Sequence, residues 1–268
     1  MNDFKEHTFV VCAYKESEYL EECIKSLLGQ TVKSKILMCT STPSLFLEEL
    51  AKQYHLELRV NPQKNGIGAD WNFAVSQAET KFVTVAHQDD VYTANYTENV
   101  QKAIEKENEF LIAFTNYQEI REGKVVKNNI NLMIKSMMLF PIRISNKAKW
   151  IKKLVLSFGN PICCPSVCLN TEKVGKEPYE EDMKSNIDWG TWLKFAKRDG
   201  KFIYLKERLV CHRIHQESET SKCLNSDQRK KEDYEMFCRI WPKWFAKFLM
   251  IFYQFAGKSN ELKSKNRK

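Results

Sequence analysis

The sequence predicts an α/β protein built on a doubly wound, mainly parallel sheet with a helical C-terminal extension. The first third of the chain alternates short apolar, β-branched runs with segments of helical periodicity, which is the pattern of consecutive strand–helix units. The chain has 268 residues, of which 43% are hydrophobic, so it can bury a full core. A further helical segment is expected from about Asp227 onward.

The predicted elements follow one another closely in the first half of the chain. Gly29 is expected to end the first helix, and Thr42 with Pro43 is expected to begin the second. Glu122 and Gly123 form the centre of a predicted hairpin at residues 117–127. Strands are predicted at residues 8–13, 35–39, 56–60, 81–86 and 110–116, and helices at 17–28, 43–54, 70–78 and 96–106.

The second half of the chain has weaker periodicity. After the hairpin, the pattern predicts one or two amphipathic helices that break near Pro141. A short strand is expected at residues 164–169, a helix at 186–197 and an extended segment at 202–211.

The positive charge of the chain is concentrated in one region. Residues 123–171 contain no Asp or Glu, and their eight basic residues equal the whole net charge of +8. Such a local excess predicts an anionic partner, for which a membrane surface, a lipid phosphate and nucleic acid are the candidates. Nucleic acid is the least expected, because the lysines alternate with Met, Trp and Phe as in an interfacial helix. The eight residues are Lys124, Lys127, Lys135, Arg143, Lys147, Lys149, Lys152 and Lys153.

Cysteine usage and the lack of a leader predict a cytoplasmic protein. The nine cysteines are odd in number and scattered, which is typical of a reducing compartment. The first apolar run is too short for a signal peptide, and the apolar segment at residues 244–257 is too short to span a bilayer. The aromatic residues of that segment favour packing on the domain and docking at the inner face of the cell membrane about equally.

Two adjacent carboxylates follow the fourth predicted strand. The apolar run of that strand breaks into His87-Gln88-Asp89-Asp90, and ligands of open α/β sheets bind beyond the carboxyl ends of the strands. A divalent metal shared with a phosphorylated ligand is therefore one hypothesis. The alternative is that both acids cap a helix that starts near Thr93.

The order of six short motifs resembles the family 2 glycosyltransferases of the GT-A fold, of the bacterial polysaccharide type, up to about residue 220. The motifs occur in the order of that family. They are the first strand and its turn, the end of the first helix, the glycine loop, the acidic turn, a Trp-rich helix start and a late Arg-x-His segment. In the same order, these motifs are residues 10–16, residues 26–31, residues 65–68 with 71–74, residues 87–90, residues 186–189 with Trp192, Leu193 and Gly200, and residues 212–215 with Ser218 and Thr220.

The resemblance implies an inverting enzyme that transfers a sugar from a nucleotide-diphosphate sugar, with a UDP-sugar favoured, to a glycan hydroxyl. It implies cell-surface polysaccharide synthesis and Mn²⁺ or Mg²⁺ as cofactor. A lipid-linked glycan is the expected acceptor, because its pyrophosphate would explain the acid-free basic stretch at residues 123–171. The implied domain covers residues 1–220, with a nucleotide-sugar half at 1–117 and an acceptor half at 118–220 that contains the basic insertion 123–171. Residues 221–268 would form an amphipathic helical segment with a basic tail.

The resemblance also assigns roles to individual residues. Asp89, with Asp90 second, would hold the metal, and His215 would be a further metal or phosphate contact. The position of the family's first motif acid is His87 here, which removes one negative charge and leaves His87 or Gln88 to bond the ribose. The remaining residues expected at the nucleotide sugar are Ala13, Tyr14, Glu16, Thr40, Ser41 and Asp70, of which Asp70 has helix capping as its alternative.

The expected catalytic base is Asp188. It lies two residues after Asn186, a candidate N-cap, so its carboxylate belongs to the first turn of a helix, where it would also compensate the helix dipole. A base must lie within hydrogen-bond reach of the attacking hydroxyl, and Glu181 and Asp182 are rival candidates. A nucleotidyltransferase and a non-catalytic nucleotide-sugar or membrane-binding module remain alternatives to the enzyme as a whole.

Overall fold

The computed structural model describes residues 3–251 except residues 64, 108 and 216–226. Its strands are β1 (Asp3–Ala13), β2 (Lys33–Thr40), β3 (Glu57–Val60), β4 (Phe82–His87), β5 (Val91–Tyr92), β6 (Phe110–Arg121), β7 (Lys124–Val126), β8 (Val167–Asn170) and β9 (Lys201–Ile214). Its helices are α1 (Leu20–Leu28), α2 (Leu45–Gln53), α3 (Ile67–Gln77), α4 (Tyr96–Ile104), α5 (Ile130–Met138), α6 (Phe140–Ile144), α7 (Lys149–Val155), α8 (Thr171–Val174), α9 (Ile187–Ala196) and α10 (Asp227–Cys238). Residues 243–251 form a last helical segment, here called the C-terminal helix.

Within the described ranges the strands form one mixed sheet in the order β3-β2-β1-β4-β8-β6-β9-β5, with β7 paired to β6. The first four strands in this order are parallel to one another. β8 runs antiparallel to both of its neighbours, whereas β6 and β9 are parallel. The prediction of a mainly parallel α/β sheet is confirmed, and the antiparallel β8 joins its two parallel parts.

The register brings the carboxyl ends of three parallel strands to one edge. Ala13 at the end of β1 lies beside Thr40 at the end of β2, and Cys12 lies beside His87 at the end of β4. Residues that follow these strands therefore meet at the edge where open α/β sheets bind their ligands.

Helices cover both faces of the sheet. On one face, α9 inserts the fully buried Trp189 and Trp192 into a cluster that includes Val10, Val85 and Phe114. On the other face, side chains of α1, α2 and α4 form a second core with the opposite sides of the same strands. Side chains of α10 and of the C-terminal helix also belong to the first cluster, so the C-terminal extension packs on this domain.

Three predicted helix starts differ from the structure. α1 begins at Leu20, three residues later than predicted. α2 begins after Ser44, whose hydroxyl accepts from the Leu47 N–H at 3.4 Å, while the Thr42 hydroxyl instead accepts from the Lys15 N–H at 2.6 Å. α3 begins at Ile67, before Asp70, because Gly66 adopts a φ of 98° that lets the chain turn into the helix.

The region after β6 also differs in its bounds. β6 continues to Arg121 instead of ending at residue 116, and it turns into β7 through Glu122 and Gly123, both with positive φ. The hairpin is thus confirmed, with the turn at the predicted residues. Three helices replace the predicted one or two, and Pro141 lies in the first turn of α6, where a missing N–H costs little.

One member of the basic region is buried. The Lys152 ammonium donates to the Arg198 carbonyl at 2.8 Å and to the Gly200 carbonyl at 2.7 Å, and the side chain is fully buried. Burial lowers the pKa of Lys152 to about 8. The expectation that all eight basic residues form one surface patch is therefore wrong for Lys152.

Candidate active site

The turn after β4 gathers three groups that can ligate a metal. The Asp90 N–H donates to the His87 carbonyl at 3.2 Å, so residues 87–90 form a tight turn. As a result, ligand atoms of His87, Asp89 and Asp90 all lie within 4.8 Å of one another. The ring of His87 stacks on Trp71 of α3, with the ring centres 5.0 Å apart, which fixes its orientation.

Asp90 is the buried anchor of this turn. Its Oδ1 accepts from His212 Nδ1 and from the Arg213 N–H, both at 2.9 Å, so the end of β9 is tied to the end of β4. Burial opposes ionisation of Asp90, but the His212 charge, its hydrogen bond and the Arg213 N–H together lower the pKa of Asp90 below its usual value. In return, the Asp90 charge outweighs the effect of burial and raises the pKa of His212. Asp90 is therefore held as an anion.

Two polar atoms of this cluster suit a divalent cation. Among the described residues, Asp90 Oδ2 and His87 Nε2 are buried and have no hydrogen-bond partner. An unsatisfied buried carboxylate oxygen is costly, and a cation beside it would remove that cost. Two carboxylates and one imidazole are ligands that Mn²⁺ accepts well, whereas Mg²⁺ prefers oxygen alone. The donor set thus fits a divalent metal.

The segment at the end of β9 folds over this turn. Arg213 Nε donates to the Asp89 carbonyl at 2.9 Å, and the guanidinium lies 4.4 Å from the ring centre of Tyr19. His215 Nε2 lies 3.0 Å from Asp89 Oδ2. His215 thus contacts Asp89 and stands outside the group formed by His87, Asp89 and Asp90, so its metal role remains a prediction.

The ends of β2 and β3 meet the start of α3 in a second polar group. The Ser41 hydroxyl donates to Asp70 Oδ2 at 2.8 Å, and Asn61 Nδ2 donates to Asp70 Oδ1 at 2.9 Å. The N-cap of α3 is Gly66, so Asp70 does not cap its own helix. The half-buried Asp70 carboxylate is instead presented at the strand ends, beside the buried Thr40.

The turn after β1 is attached to the turn after β4 by one side chain. Gln88 Oε1 accepts from the Tyr14 N–H at 2.9 Å, and Gln88 Nε2 donates to the Tyr14 carbonyl at 3.2 Å. Ala13 is buried at the end of β1, and Tyr14 and Glu16 are exposed in the turn that follows. Gln88 therefore positions this turn through bonds to the main chain.

Asp188 lies in the first turn of α9, as predicted. Its Oδ1 accepts from the Trp189 N–H at 2.8 Å, and its Oδ2 accepts from Asn160 Nδ2 at 2.7 Å. Burial raises the pKa of Asp188 above the usual aspartate value, although the Trp189 hydrogen bond and the charge of Arg229 oppose the rise. The carboxylate is thus oriented by two N–H donors and is more basic than an ordinary aspartate.

The rival acids are engaged elsewhere. Asp182 Oδ2 accepts from Arg239 Nη2 at 2.9 Å. Glu181 Oε1 accepts from Asn72 Nδ2 of α3 at 2.8 Å. Asp188, whose pKa is raised by burial and which is within the influence of the His87 charge, therefore remains the preferred base.

The acidic turn and Asp188 act on a common neighbour. Burial raises the pKa of the Cys163 thiol, and the charges of Asp90 and of Asp188 raise it further. The charge of His87 in the turn also acts on Asp188, whose pKa it lowers against the larger effect of burial. Trp71, which stacks on His87, contacts Tyr179 with ring centres 5.0 Å apart. The anionic Asp90 and the more basic Asp188 therefore belong to one electrostatic neighbourhood.

Two residues of the site were absent from the sequence prediction. Asn61 directly follows β3, so the rule that located Thr40 and Ser41 after β2 would also have located it. Asn160, the partner of Asp188, lies in a Gly-Asn-Pro segment far from any recognised motif, and no signal in the sequence connects it with Asp188.

The fold is that of solved GT-A glycosyltransferases. Residues 8–174, more than half of the chain, match the family model for glycosyl transferase family 2, and the protein belongs to this family. The resemblance and the enzyme class are thereby confirmed, and the chain is a glycosyltransferase. A nucleotidyltransferase and a non-catalytic module are set aside.

Several relatives are similar over most of the chain. An uncharacterized glycosyltransferase of Methanocaldococcus jannaschii is 26% identical over 214 residues, which cover 76% of this chain and 69% of the relative. One from Rickettsia typhi is 23% identical over 257 residues, covering 91% and 74%.

Solved structures share the fold at lower identity. Staphylococcus aureus TarS 1–349 in complex with UDP-GlcNAc has a TM-score of 0.62 at 14% identity, covering 91% of this chain and 70% of that chain. The mannosyltransferase PcManGT from Pyrobaculum calidifontis, in complex with GDP-Man and Mn²⁺, has a TM-score of 0.62 at 13% identity, covering 91% and 69%.

Proposed function

We propose that the protein transfers a sugar from a nucleotide-diphosphate sugar to a glycan hydroxyl with inversion at the anomeric carbon. The observation that carries this proposal is a pair of buried carboxylates whose charges both act on Cys163. Of the two, Asp90 is held as an anion while burial raises the pKa of Asp188. Two acids whose environments push their pKa values apart are suited to different roles in one reaction.

Asp188 is the general base of the proposed reaction. One of its carboxylate oxygens takes the proton of the acceptor hydroxyl while the acceptor oxygen attacks the anomeric carbon. The bond from that carbon to the phosphate oxygen breaks, and the electron pair leaves with the nucleoside diphosphate. A single displacement of this kind inverts the anomeric configuration. Asn160 and the Trp189 N–H orient the carboxylate for the proton transfer.

Asp89, Asp90 and His87 would hold Mn²⁺ or Mg²⁺. A bound cation would supply charge neutralisation to the leaving diphosphate. His215 would approach this centre through Asp89, which it contacts at 3.0 Å. Because an imidazole ligand adds no negative charge where an acid would add one, we expect weaker metal affinity than for a site with three carboxylates, and a preference for Mn²⁺ over Mg²⁺.

The nucleotide would bind along the ends of β1, β2 and β3. Asp70 retains free lone pairs on both oxygens while Ser41 and Asn61 hold it, so it can accept an N–H of the base. A UDP-sugar is the favoured donor, and TarS and PcManGT, which share the fold, were solved with UDP-GlcNAc and GDP-Man. Ala13, Tyr14, Glu16, Thr40 and Gln88 would complete this pocket.

The acceptor would reach Asp188 from the side of α5–α7, in the half at residues 118–220. A lipid-linked glycan of cell-surface polysaccharide synthesis is the proposed acceptor, used by a cytoplasmic enzyme at the inner face of the membrane. The surface lysines of residues 123–171 support this proposal, because a lipid-linked glycan carries an anionic phosphate.

A donor panel tests the function directly. Purified protein is incubated with UDP-, GDP- and other nucleotide sugars and Mn²⁺ or Mg²⁺, and release of nucleoside diphosphate and the thermal shift are measured. One donor should be hydrolysed or transferred in a metal-dependent way and should raise the melting temperature. Turnover that persists after chelation and dialysis would contradict the metal assignment, and absence of release and shift with every donor would contradict the donor class.

A further inference from the structure

One surface of the protein combines exposed apolar side chains with lysines. Six apolar residues, here called the apolar ridge, have exposed fractions between 40% and 73%. Three of them lie on α7 and directly after it, and three on the C-terminal helix. The ridge consists of Trp150, Leu154, Phe158, Trp244, Phe248 and Ile251.

The two halves of the ridge form one continuous surface. Trp150 and Leu154 lie one helical turn apart on α7, and Phe158 lies in the turn that follows the helix. Phe158 contacts Trp241 with ring centres 5.6 Å apart, and Trp241 Nε1 donates to the Ser157 carbonyl at 2.8 Å. Trp241 contacts Phe245, which in turn contacts the exposed rings on either side of it along the C-terminal helix.

The charge around the ridge is positive. A groove beside Trp150 is lined by Lys147, Lys149 and Lys153, and its acidic lining residue, Asp199, pairs with Lys149 at 2.9 Å. Lys243 and Lys247 are exposed on the C-terminal helix. Neither residues 123–171 nor residues 240–251 contain an Asp or Glu. Exposed Trp and Phe among lysines suit the interface of an anionic bilayer.

The ridge is also directly connected to the proposed base. The Leu156 carbonyl accepts from Trp189 Nε1 of α9 at 3.0 Å, and Asn160 donates to Asp188 at 2.7 Å. Phe158, between these two residues, is exposed on the ridge. The segment that carries a ridge residue therefore also holds the helix and the carboxylate that would receive the acceptor proton.

We propose that the apolar ridge docks this protein onto an anionic lipid bilayer and thereby places Asp188 near the bilayer surface. The docking of the ridge does not depend on the proposed function. The further consequence, that the membrane presents the acceptor to Asp188, rests on the proposed function. Among the described residues no helix is both long and apolar enough to cross a bilayer, so attachment by these residues is at the surface.

Vesicle flotation of the full chain tests the docking. The probes are vesicles of phosphatidylcholine with about 30 mol % phosphatidylglycerol and vesicles of phosphatidylcholine alone. We expect the protein to float with the anionic vesicles and to remain mostly at the bottom with the neutral ones. Protein that stays at the bottom with both would overturn the proposal.

Substitutions identify the surface. Trp150→Ser with Phe248→Ser, and separately Lys153→Glu with Lys247→Glu, should each reduce bound protein roughly tenfold or more. Leu45→Ser with Lys52→Glu is the matched control, because both residues are exposed on α2, and it should float like the parent. Ridge variants that float like the parent, or a control that loses flotation equally, would overturn the assignment.

Two further measurements separate the alternatives. Light scattering after gel filtration should show a monomer for parent and ridge variants; a parent dimer that the ridge variants abolish would mean that a second copy covers the ridge, against the proposal. Donor turnover is measured in parallel. Flotation without turnover on any donor would reject the proposed function and leave docking intact, whereas turnover without flotation would reject docking and leave the function intact.

Discussion

The turn after β4 and the start of α9 place the same kind of residue in opposite surroundings. At the turn, charged and donor groups of β9 surround Asp90 and lower its pKa in spite of burial. At α9, two neutral N–H groups orient Asp188, and burial raises its pKa. The comparison teaches that burial alone does not decide the role of a carboxylate. The charge of its partners decides whether it stays an anion or can accept a proton.

Removal of the base should have the largest effect. Asp188→Asn keeps the hydrogen bond from the Trp189 N–H but cannot take a proton, so we expect kcat to fall about 10³-fold. Donor binding, measured by thermal shift, should be nearly unchanged. Asp182→Asn is the control and should keep kcat within about twofold, because Asp182 pairs with Arg239 on the surface. Equal losses in both variants would contradict the assignment of the base.

A substitution at the acidic turn should affect a different quantity. Asp89→Asn removes a ligand charge, and we expect Mn²⁺ binding, followed by electron paramagnetic resonance in the presence of UDP, to weaken about 100-fold. Thermal stability without metal should change little, since Asp89 is partly exposed. The exposed Asp199→Asn serves as control. Unchanged Mn²⁺ affinity in Asp89→Asn would mean that the metal binds elsewhere.

The pH profile distinguishes the two environments further. Asp188 must be ionised to act, so kcat/KM should rise with pH through an acidic limb that lies above the usual aspartate range, because burial raises this pKa. Asn160→Ala removes an N–H that stabilises the charged carboxylate. The limb should therefore move to higher pH and kcat should fall about tenfold.

Asn128→Ala is the matched control for Asn160, because Asn128 is exposed and the contact that the structure shows for it is a hydrogen bond from Arg208. Its pH profile should superimpose on that of the parent. A profile of Asn160→Ala that also superimposes on the parent would show that Asn160 does not position the base.

The difference between the two regions also explains what the sequence could predict. The parallel strands obey local rules of periodicity, so the positions of Ser41 and Asp89 after strand ends could be predicted, while their roles at the site stay predictions. The contacts of Asp188 with Asn160 and of Asp90 with His212 join residues far apart in the chain. Those contacts depend on how the mixed part of the sheet closes, which no local pattern encodes.

The same limit applies to burial of charge. Lys152 belongs to a basic run that resembles a solvated helix face, yet two carbonyls at the turn between α9 and β9 receive its ammonium. The sequence predicts the charge of Lys152 but also predicts a surface position, whereas its side chain is buried. Only the position of a distant turn decides which lysine of the run is buried.

The smallest effect is expected at another buried ionisable group, His7 of β1, whose ring nitrogens bond the hydroxyls of Ser34 and Thr84, both at 2.9 Å. Without a charged partner, burial lowers its pKa from 6.5 to about 3. Below pH 6.5 the unfolded chain therefore binds a proton at His7, whereas the folded chain keeps His7 unprotonated. The free energy of unfolding is thus highest above pH 6.5 and decreases as the pH falls below it. The loss between pH 7 and pH 5 should be about 2 kcal/mol.

Urea denaturation at the two pH values measures this loss. His7→Gln, which has no group that titrates there, should be less stable at pH 7 but should lose about 2 kcal/mol less than the parent on going to pH 5. His55→Asn, at an exposed position, should keep the parent's slope. Should His7→Gln and the parent lose the same stability, His7 would not be the group responsible. Burial without a charged partner would then be insufficient to shift a pKa in this fold, and the explanation of Asp188 by burial would weaken with it.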